Sequence, residues 1–155
     1  MAESLAIAEG GKNEKYELLY KQIAVVVAEE SDPIANMANV SSMLHHTFGF
    51  WWTGFYRVVC GELVLGPFQG PIACTRIAKG RGVCGTAWSE ERTIVVEDVD
   101  KFPGHIACSS LSRSEIVVPV WHNGEIIGVL DIDSEHVATF DSTDQEWLER
   151  IVQLL

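Results

Sequence analysis

The fold is decided by residues 104–135, which read GHIACSSLSRSEIVVPVWHNGEIIGVLDIDSE. Cys108 lies in a run of small polar residues, and two apolar, β-branched segments joined by a turn follow it, which predicts a β-hairpin. The hairpin carries three carboxylates, Glu115, Asp131 and Asp133. Because an unpaired ionised carboxylate is costly to bury, acids on buried strands beside a loop cysteine indicate a functional site. In the competing interpretation, Glu115 and Asp131 lie at strand ends and face water.

The register of this hairpin decides whether the acids can meet. Side chains alternate across a strand, so Asp131 and Asp133 share one face. A two-residue turn at 123–124 places Glu115 opposite Ile132, on the other face. A three-residue loop, or an equivalent one-residue bulge, places Glu115 opposite Asp133, and we predict this second register. Two opposed carboxylates shielded from water cannot both ionise cheaply, so one of them should have a raised pKa.

Length and composition fit a single domain over residues 1–155, with residues 1–11 as a flexible lead-in. The net charge of −11 argues against nucleic acid and anionic membrane surfaces as partners. No apolar run approaches the roughly 20 residues of a membrane span. The N-terminus shows no signal peptide, and we expect a cytoplasmic protein.

The four cysteines, at 60, 74, 84 and 108, are too few and too widely spaced for a disulfide scaffold. They form no C-x-x-C pair and no ligand-like spacing with histidine, so a zinc site is not expected. In a cytosolic chain, dispersed cysteines are either inert small hydrophobic residues or redox-active thiols. Composition leaves both possibilities open.

The remaining pattern predicts helices and strands that build an α+β domain. Its central antiparallel sheet should carry helices on one face and a loop-enclosed pocket on the other. The predicted helices are 13–30, 33–48 capped by Ser31 or Asp32, 83–90, and a final one that begins with a capping box at Ser142 or Thr143. The predicted strands before the hairpin are 50–59, 62–65, 72–77 and 93–96.

The aromatic strand 50–59 presents two different faces. Alternation places Trp52 and Tyr56 on one face and Phe55 on the other. One set should pack on the helices as core, and the other set could form the wall of a pocket.

Several of these motifs together resemble a known family. The stretches FWWTGFY, GPFQGPIAC, GRGVCGTAW, HIACSS and SEIVVPV with GVLDIDSEH are similar to those of GAF domains, and more narrowly to the free methionine-(R)-sulfoxide reductases. The resemblance extends from about Tyr16 to Leu154. Cys74, Cys84 and Cys108 make it specific, because each lies in the local motif where the family carries a cysteine.

The resemblance implies thiol-dependent reduction of free methionine-(R)-sulfoxide through a cysteine sulfenic acid and an intramolecular disulfide. Such an enzyme would be an antioxidant oxidoreductase that needs no cofactor, takes its electrons from thioredoxin or a similar dithiol, and could form a homodimer. The residues implied in catalysis are Cys108, Cys84, Cys74, Glu115 and Asp133. Those implied in substrate binding are Trp52, Tyr56, Glu115, Asp131 and Asp133.

Three alternatives stay open at this point. Cys108, beside small hydroxyl donors, is the favoured nucleophile with Cys74 and Cys84 as resolving candidates, but the attacking role could belong to Cys84. A helix start lowers a thiol pKa, whereas a buried Cys84 could simply fill space. His105 lies near Cys108 in the chain and could belong to the site, but a surface loop residue is the favoured interpretation. The alternative function is a GAF-type module that binds a small ligand without catalysis, although such modules normally belong to longer chains with an output domain.

Overall fold

The computed structural model describes residues 4–105 and 110–155. None of the helices in these ranges has both the length and the apolar character that crossing a lipid bilayer requires. The helices are α1 (Lys12–Ala28), α2 (Pro33–Phe48), α3 (Gly82–Glu90), a 3-10 turn (Val99–Lys101) and α4 (Ser142–Val152). The strands are β1 (Trp52–Val59), β2 (Glu62–Gln69), β3 (Arg76–Ala78), β4 (Ile94–Val96), β5 (Ser114–His122) and β6 (Glu125–Ser134).

Within the described ranges, the strands form one sheet in the order β3-β2-β1-β6-β5-β4, and every neighbouring pair is antiparallel. Helices α1, α2 and α4 pack on one face, and α3 with its flanking segments covers the other. The alternation of β1 follows this division, because Phe55 belongs to the helix-side core while Trp52 and Tyr56 belong to the opposite cluster. The predicted α+β architecture is confirmed.

Both ends of α2 are set by residues with clear capping roles, and Asp32 is one of the two caps that the sequence indicated. The Asp32 side chain accepts hydrogen bonds from the backbone N–H groups of Ile34 and Ala35, at 2.8 and 3.2 Å. Pro33 occupies the first turn, where its missing N–H is not needed. Gly49 ends the helix with a φ of 67°, a conformation that glycine adopts without steric cost.

The segment around Cys74 differs from its prediction. Strand β3 comprises only Arg76–Ala78 instead of 72–77, so Cys74 lies in the loop that precedes it. Strand β2 is longer than predicted and runs to Gln69. The strand pairing of β3 covers only Glu62–Val64, and one further hydrogen bond, from the Leu65 N–H to the Thr75 carbonyl at 3.0 Å, follows before the chain becomes a loop.

The start of α4 also differs from its prediction. The capping residue is Asp141, not Ser142 or Thr143. The Asp141 side chain accepts from the backbone N–H groups of Thr143 and Asp144, and the Asp144 side chain accepts from the backbone N–H of Asp141. The capping box is reciprocal as expected, but it begins at Asp141, before either predicted position, and both of its side chains are aspartates.

Tertiary contacts explain this choice of cap. Asp144 is almost fully buried, and its Oδ1 accepts a hydrogen bond from the Tyr16 hydroxyl at 2.6 Å. The Lys12 ammonium lies 2.6 Å from Asp144 Oδ2. The capping aspartate therefore joins the start of α1 to the start of α4, and sequence periodicity does not reveal this connection.

The lead-in before α1 is docked, although the sequence predicted a flexible segment. The Ala6 N–H donates to Gln22 Oε1, and Gln22 Nε2 donates to the Ala6 carbonyl, both at 2.8 Å. Leu5 packs against the helix-side core. These contacts hold the described part of the lead-in on α1.

Replacing Asp144 by Ala should lower the free energy of unfolding by about 2 to 4 kcal/mol. The change removes the half of the capping box that accepts from the Asp141 N–H, leaves the buried Tyr16 hydroxyl without its acceptor, and takes from Lys12 its shortest ion pair. Denaturant unfolding measures the loss, and Glu146→Ala, an exposed change on the same helix, is the control. Equal stabilities of the two variants would contradict this account.

Candidate active site

Three neighbouring strands bring together the acids and one aromatic wall. Asp133 on β6 pairs with Trp52 on β1 and with Glu115 on β5. Asp131, two residues earlier, lies on the same face and pairs with Gly54 of β1. The sheet therefore carries the carboxyl groups side by side, facing a cavity under α3.

A bulge in β6 creates this register. Asn123 and Gly124 form a two-residue turn with φ of 51° and 79°, so the predicted three-residue loop is not used. The register shifts between Val120 and Trp121, which leaves Ile127 of β6 without a partner. The one-residue bulge, which was the other form of the prediction, places Glu115 opposite Asp133.

The three carboxyl groups have raised pKa values. Burial, followed by the charge of Asp133, raises the pKa of Glu115 to about 8. Burial, followed by Glu115, raises the pKa of Asp131 well above its usual range. Burial, followed by the charge of Asp131, also raises the pKa of Asp133 well above its usual range. The Asp133 carboxyl group accepts a hydrogen bond from the Ser112 hydroxyl at 3.0 Å. In the ligand-free pocket, protons therefore replace part of the negative charge.

Cys84 lies beneath this carboxyl group cluster, in the first turn of α3. Its side chain is buried, and it interacts with the Asp131 carboxyl group through a hydrogen bond. Burial and then the charges of Asp131, Glu115 and Asp133 raise the pKa of the thiol well above its usual range. These effects outweigh the lowering expected at a helix start, so this environment keeps the thiol protonated.

The aromatic wall also holds the loop that carries Cys74. Trp52 and Tyr56 stack with ring centroids 5.9 Å apart. The Trp52 indole N–H donates to the Pro71 carbonyl at 3.0 Å, and the Tyr56 hydroxyl donates to the Cys74 carbonyl at 2.9 Å. Gly70 has a φ of 130°, and a Cβ there would lie 2.8 Å from Trp52 Cδ1, so the loop requires glycine where it leaves β2.

His105 lies in the cavity, and its prediction as a surface residue is wrong. Its Nε2 is 3.7 Å from Glu115 Oε1, and its side chain is only 15% exposed. Burial lowers the pKa of His105, against the opposing charges of Asp131 and Asp100. No sequence signal indicated this position, because a loop residue acquires its neighbours only when the chain folds.

Two further polar side chains that line the cavity, those of Ser112 and Arg81, were not predicted. Ser112 precedes β5 and orients Asp133, as described above. Arg81 is the N-cap residue of α3, and its exposed side chain lies at the rim of the cavity. Among the described residues that line the cavity, Arg81 is the one with a permanent positive charge. The small polar run before β5 hinted at Ser112, whereas nothing in the sequence distinguished Arg81 from a surface arginine.

The cysteines occupy different environments. Cys74 is disulfide-bonded, whereas Cys84 and Cys60 are free thiols. Cys60 is exposed in the β1–β2 turn and does not line the cavity. The predicted nucleophile, Cys108, lies outside the described residues.

Comparisons with known proteins agree with the motifs. The model of the GAF domain family matches residues 32–155 of this chain. A Dictyostelium discoideum protein named GAF domain-containing protein A is 58% identical over 100% of this chain and 99% of its own length. The Escherichia coli free methionine-R-sulfoxide reductase is 45% identical over 93% of this chain and 88% of its own. The X-ray structure of the Neisseria meningitidis free methionine-R-sulfoxide reductase in complex with its substrate has a TM-score of 0.95 at 54% identity, covering 97% of this chain and 92% of that one.

The raised pKa of Glu115 leads to a prediction about stability. The folded state keeps this proton up to about pH 8, whereas the unfolded chain releases it near 4.5, so this contribution to stability is lost as pH rises across that window. The free energy of unfolding should therefore fall less between pH 5 and pH 8.5 in Glu115→Gln than in wild type. The difference between the two decreases should be about 2 to 5 kcal/mol. Denaturant unfolding at both pH values measures it, with the exposed Glu125→Gln on the same hairpin as control. Parallel pH dependences of wild type and Glu115→Gln would contradict the assignment.

Proposed function

We propose that this chain, which belongs to the GAF-domain family and to its free methionine-R-sulfoxide reductases, reduces free methionine-(R)-sulfoxide to methionine. The observation that carries the proposal is the pocket that joins buried carboxyl groups, an aromatic wall and the Cys74 loop. An amino acid with a cationic ammonium group and an apolar methylthio end matches these two surfaces.

The ammonium group of the substrate binds the carboxyl cluster. Asp131 is the main binding acid, because its Oδ1 is buried and has no hydrogen-bond partner within the described ranges. The methylthio end packs on Trp52 and Tyr56, which line the same cavity. The substrate carboxylate faces Arg81 and the N-terminus of α3, where positive charge and free N–H groups favour an anion.

Glu115 and Asp133 supply the proton for the sulfoxide oxygen. The pKa of about 8 keeps Glu115 protonated at neutral pH, which a general acid requires. The opposed Asp133 helps to maintain that pKa through its charge. The ammonium group offsets the ionisation of one carboxyl group while another keeps its proton.

Cys108 is the attacking thiol. Its sulfur attacks the sulfoxide sulfur, the oxygen takes a proton and passes to the cysteine as a sulfenic acid, and methionine leaves. The Cys74 thiol then displaces water from the sulfenic acid and forms a disulfide with Cys108. Cys84 is disfavoured as the nucleophile, because burial and neighbouring acids raise the pKa of its thiol.

An external dithiol must reduce the resulting disulfide. We assign this role to thioredoxin or a similar protein, which makes the chain an antioxidant enzyme of the cytoplasm without a cofactor of its own. Loop 70–75 is suited to that exchange, because Ile72 is 91% exposed two residues before Cys74. The homodimer stays a prediction.

Turnover of free methionine-(R)-sulfoxide with dithiothreitol or thioredoxin tests the function. We expect Cys108→Ser to abolish turnover and Cys60→Ser to preserve it. N-acetylmethionine sulfoxide should be a poor substrate, because it has no ammonium group for the acids. Binding without turnover in the wild type would favour the non-catalytic GAF module instead, and equal rates on the acetylated compound would contradict the assigned role of the acids.

Tyr56→Phe tests the link between the wall and the disulfide. The change keeps the ring but removes the hydrogen bond to the Cys74 carbonyl, so Cys74 should be held less accurately and disulfide formation should slow by about threefold to tenfold. In single-turnover experiments, trapping of the sulfenic acid with dimedone should increase relative to wild type. An unchanged rate of disulfide formation would show that this hydrogen bond does not position Cys74.

A further inference from the structure

The cavity brings a thiol and two carboxylates close enough to share one ion. Cys84 Sγ and carboxylate oxygens of Glu115 and Asp131 all lie within 4.8 Å of one another. His105 lies beside this trio, with Nε2 3.7 Å from Glu115 Oε1, but outside the mutual 4.8 Å distance, so it would have to move further than the other three to reach the same ion. An imidazole ring nitrogen is a common metal ligand. Thiolate, imidazole and carboxylate are the donor types that zinc takes in proteins.

A second observation points to a positively charged ligand at this position. Asp131 is only 6% exposed, lines the cavity, and its Oδ1 has no hydrogen-bond partner within the described ranges. A buried carboxylate oxygen without a donor is costly unless a cation or a proton compensates it. Arg81 provides little compensation, because its side chain is exposed at the rim.

We propose that Cys84, Glu115 and Asp131, with His105 as a fourth donor, form a site for a thiophilic divalent cation such as Zn²⁺, and that this cation excludes the amino-acid substrate. Coordination releases the thiol proton of Cys84 to solvent, together with any proton on the Glu115 and Asp131 carboxyl groups, without any change in oxidation state. Zinc bonds of about 2.0 to 2.3 Å place tetrahedral ligands roughly 3.5 Å apart, so the side chains close around the ion by about 1 Å.

The site differs from a resident structural zinc site. Its donors come from α3, β5, β6 and a loop, without the short ligand spacing of zinc-binding motifs, and the cavity is open to solvent. The cation should therefore bind reversibly and inhibit the enzyme. Cation binding is independent of the proposed function, whereas the physiological meaning of its competition with substrate rests on that function.

Cadmium binding to the oxidised protein tests the site directly. Cys74 is blocked by its disulfide in this form, and Cys60 and Cys84 are the free thiols of the described residues. In a Cys60→Ser background, Cd²⁺ should produce a saturable ultraviolet thiolate-to-metal charge-transfer band with one equivalent bound, and Zn²⁺ should abolish it. Adding Cys84→Ser should remove the band. Asp131→Asn keeps the thiol and should weaken Cd²⁺ binding about tenfold or more, with circular dichroism as the check on folding.

Competition with free methionine tests the shared site without turnover. Methionine carries the same ammonium group, so saturating methionine should raise the apparent Kd for Cd²⁺ when Kd is expressed in free Cd²⁺, corrected for chelation of the metal by methionine in solution, and N-acetylmethionine should not. Absence of the band with Cys84 intact, persistence of the band in Cys84→Ser, or unchanged affinity in folded Asp131→Asn would each overturn the site. Cd²⁺ affinity that is insensitive to methionine would overturn the competition. If the band and the competition are observed but methionine sulfoxide is not reduced, the cation site stands and the proposed function fails.

Discussion

One unpaired residue in β6 determines how the acids meet. The Asn123-Gly124 turn alone would place Glu115 opposite Ile132, but the bulge at Ile127 moves every later pair by one position. Glu115 then faces Asp133, and both lie on the side of the sheet away from α1, α2 and α4. Gly128, directly after the bulge, is also required, because a Cβ there would lie 2.4 Å from the Tyr56 carbonyl oxygen. The geometry of the pocket therefore depends on two adjacent residues that do not line it.

The cost of this arrangement explains its chemistry. Carboxyl groups that are buried together cannot all ionise, and raised pKa values are the consequence. A protonated Glu115 is a useful acid, and Asp131 suits a bound cation because its buried Oδ1 has no hydrogen-bond partner within the described ranges. Clusters of groups with strongly perturbed pKa values are typical of functional sites. In this chain they account for both the proposed substrate and the proposed inhibitory ion.

The rest of the fold supplies rigidity to that cluster. The hydrophobic core between the sheet and the three helices holds β1, β5 and β6 from one side. The hydrogen bonds of Asp144 with Tyr16 and Lys12 join the first and last helices over this core. On the other side, Trp52 and Tyr56 hold loop 70–75 by its backbone carbonyl groups. The same two rings that form the wall thus locate Cys74.

The sequence by itself determined the order of the elements, the two faces of β1 and the presence of acids on a central hairpin, and it limited the cap of α2 to Ser31 or Asp32. These features follow from local chemistry: side-chain alternation, capping groups and turn residues act over a few positions. The tertiary structure alone decided which form of the register was used, which aspartate caps α4, that His105 enters the cavity, and that Cys84 lies beneath the carboxyl groups. Each of these depends on groups distant in sequence, and the pKa of a side chain is set by the burial and charges around it, which exist only once the chain has folded.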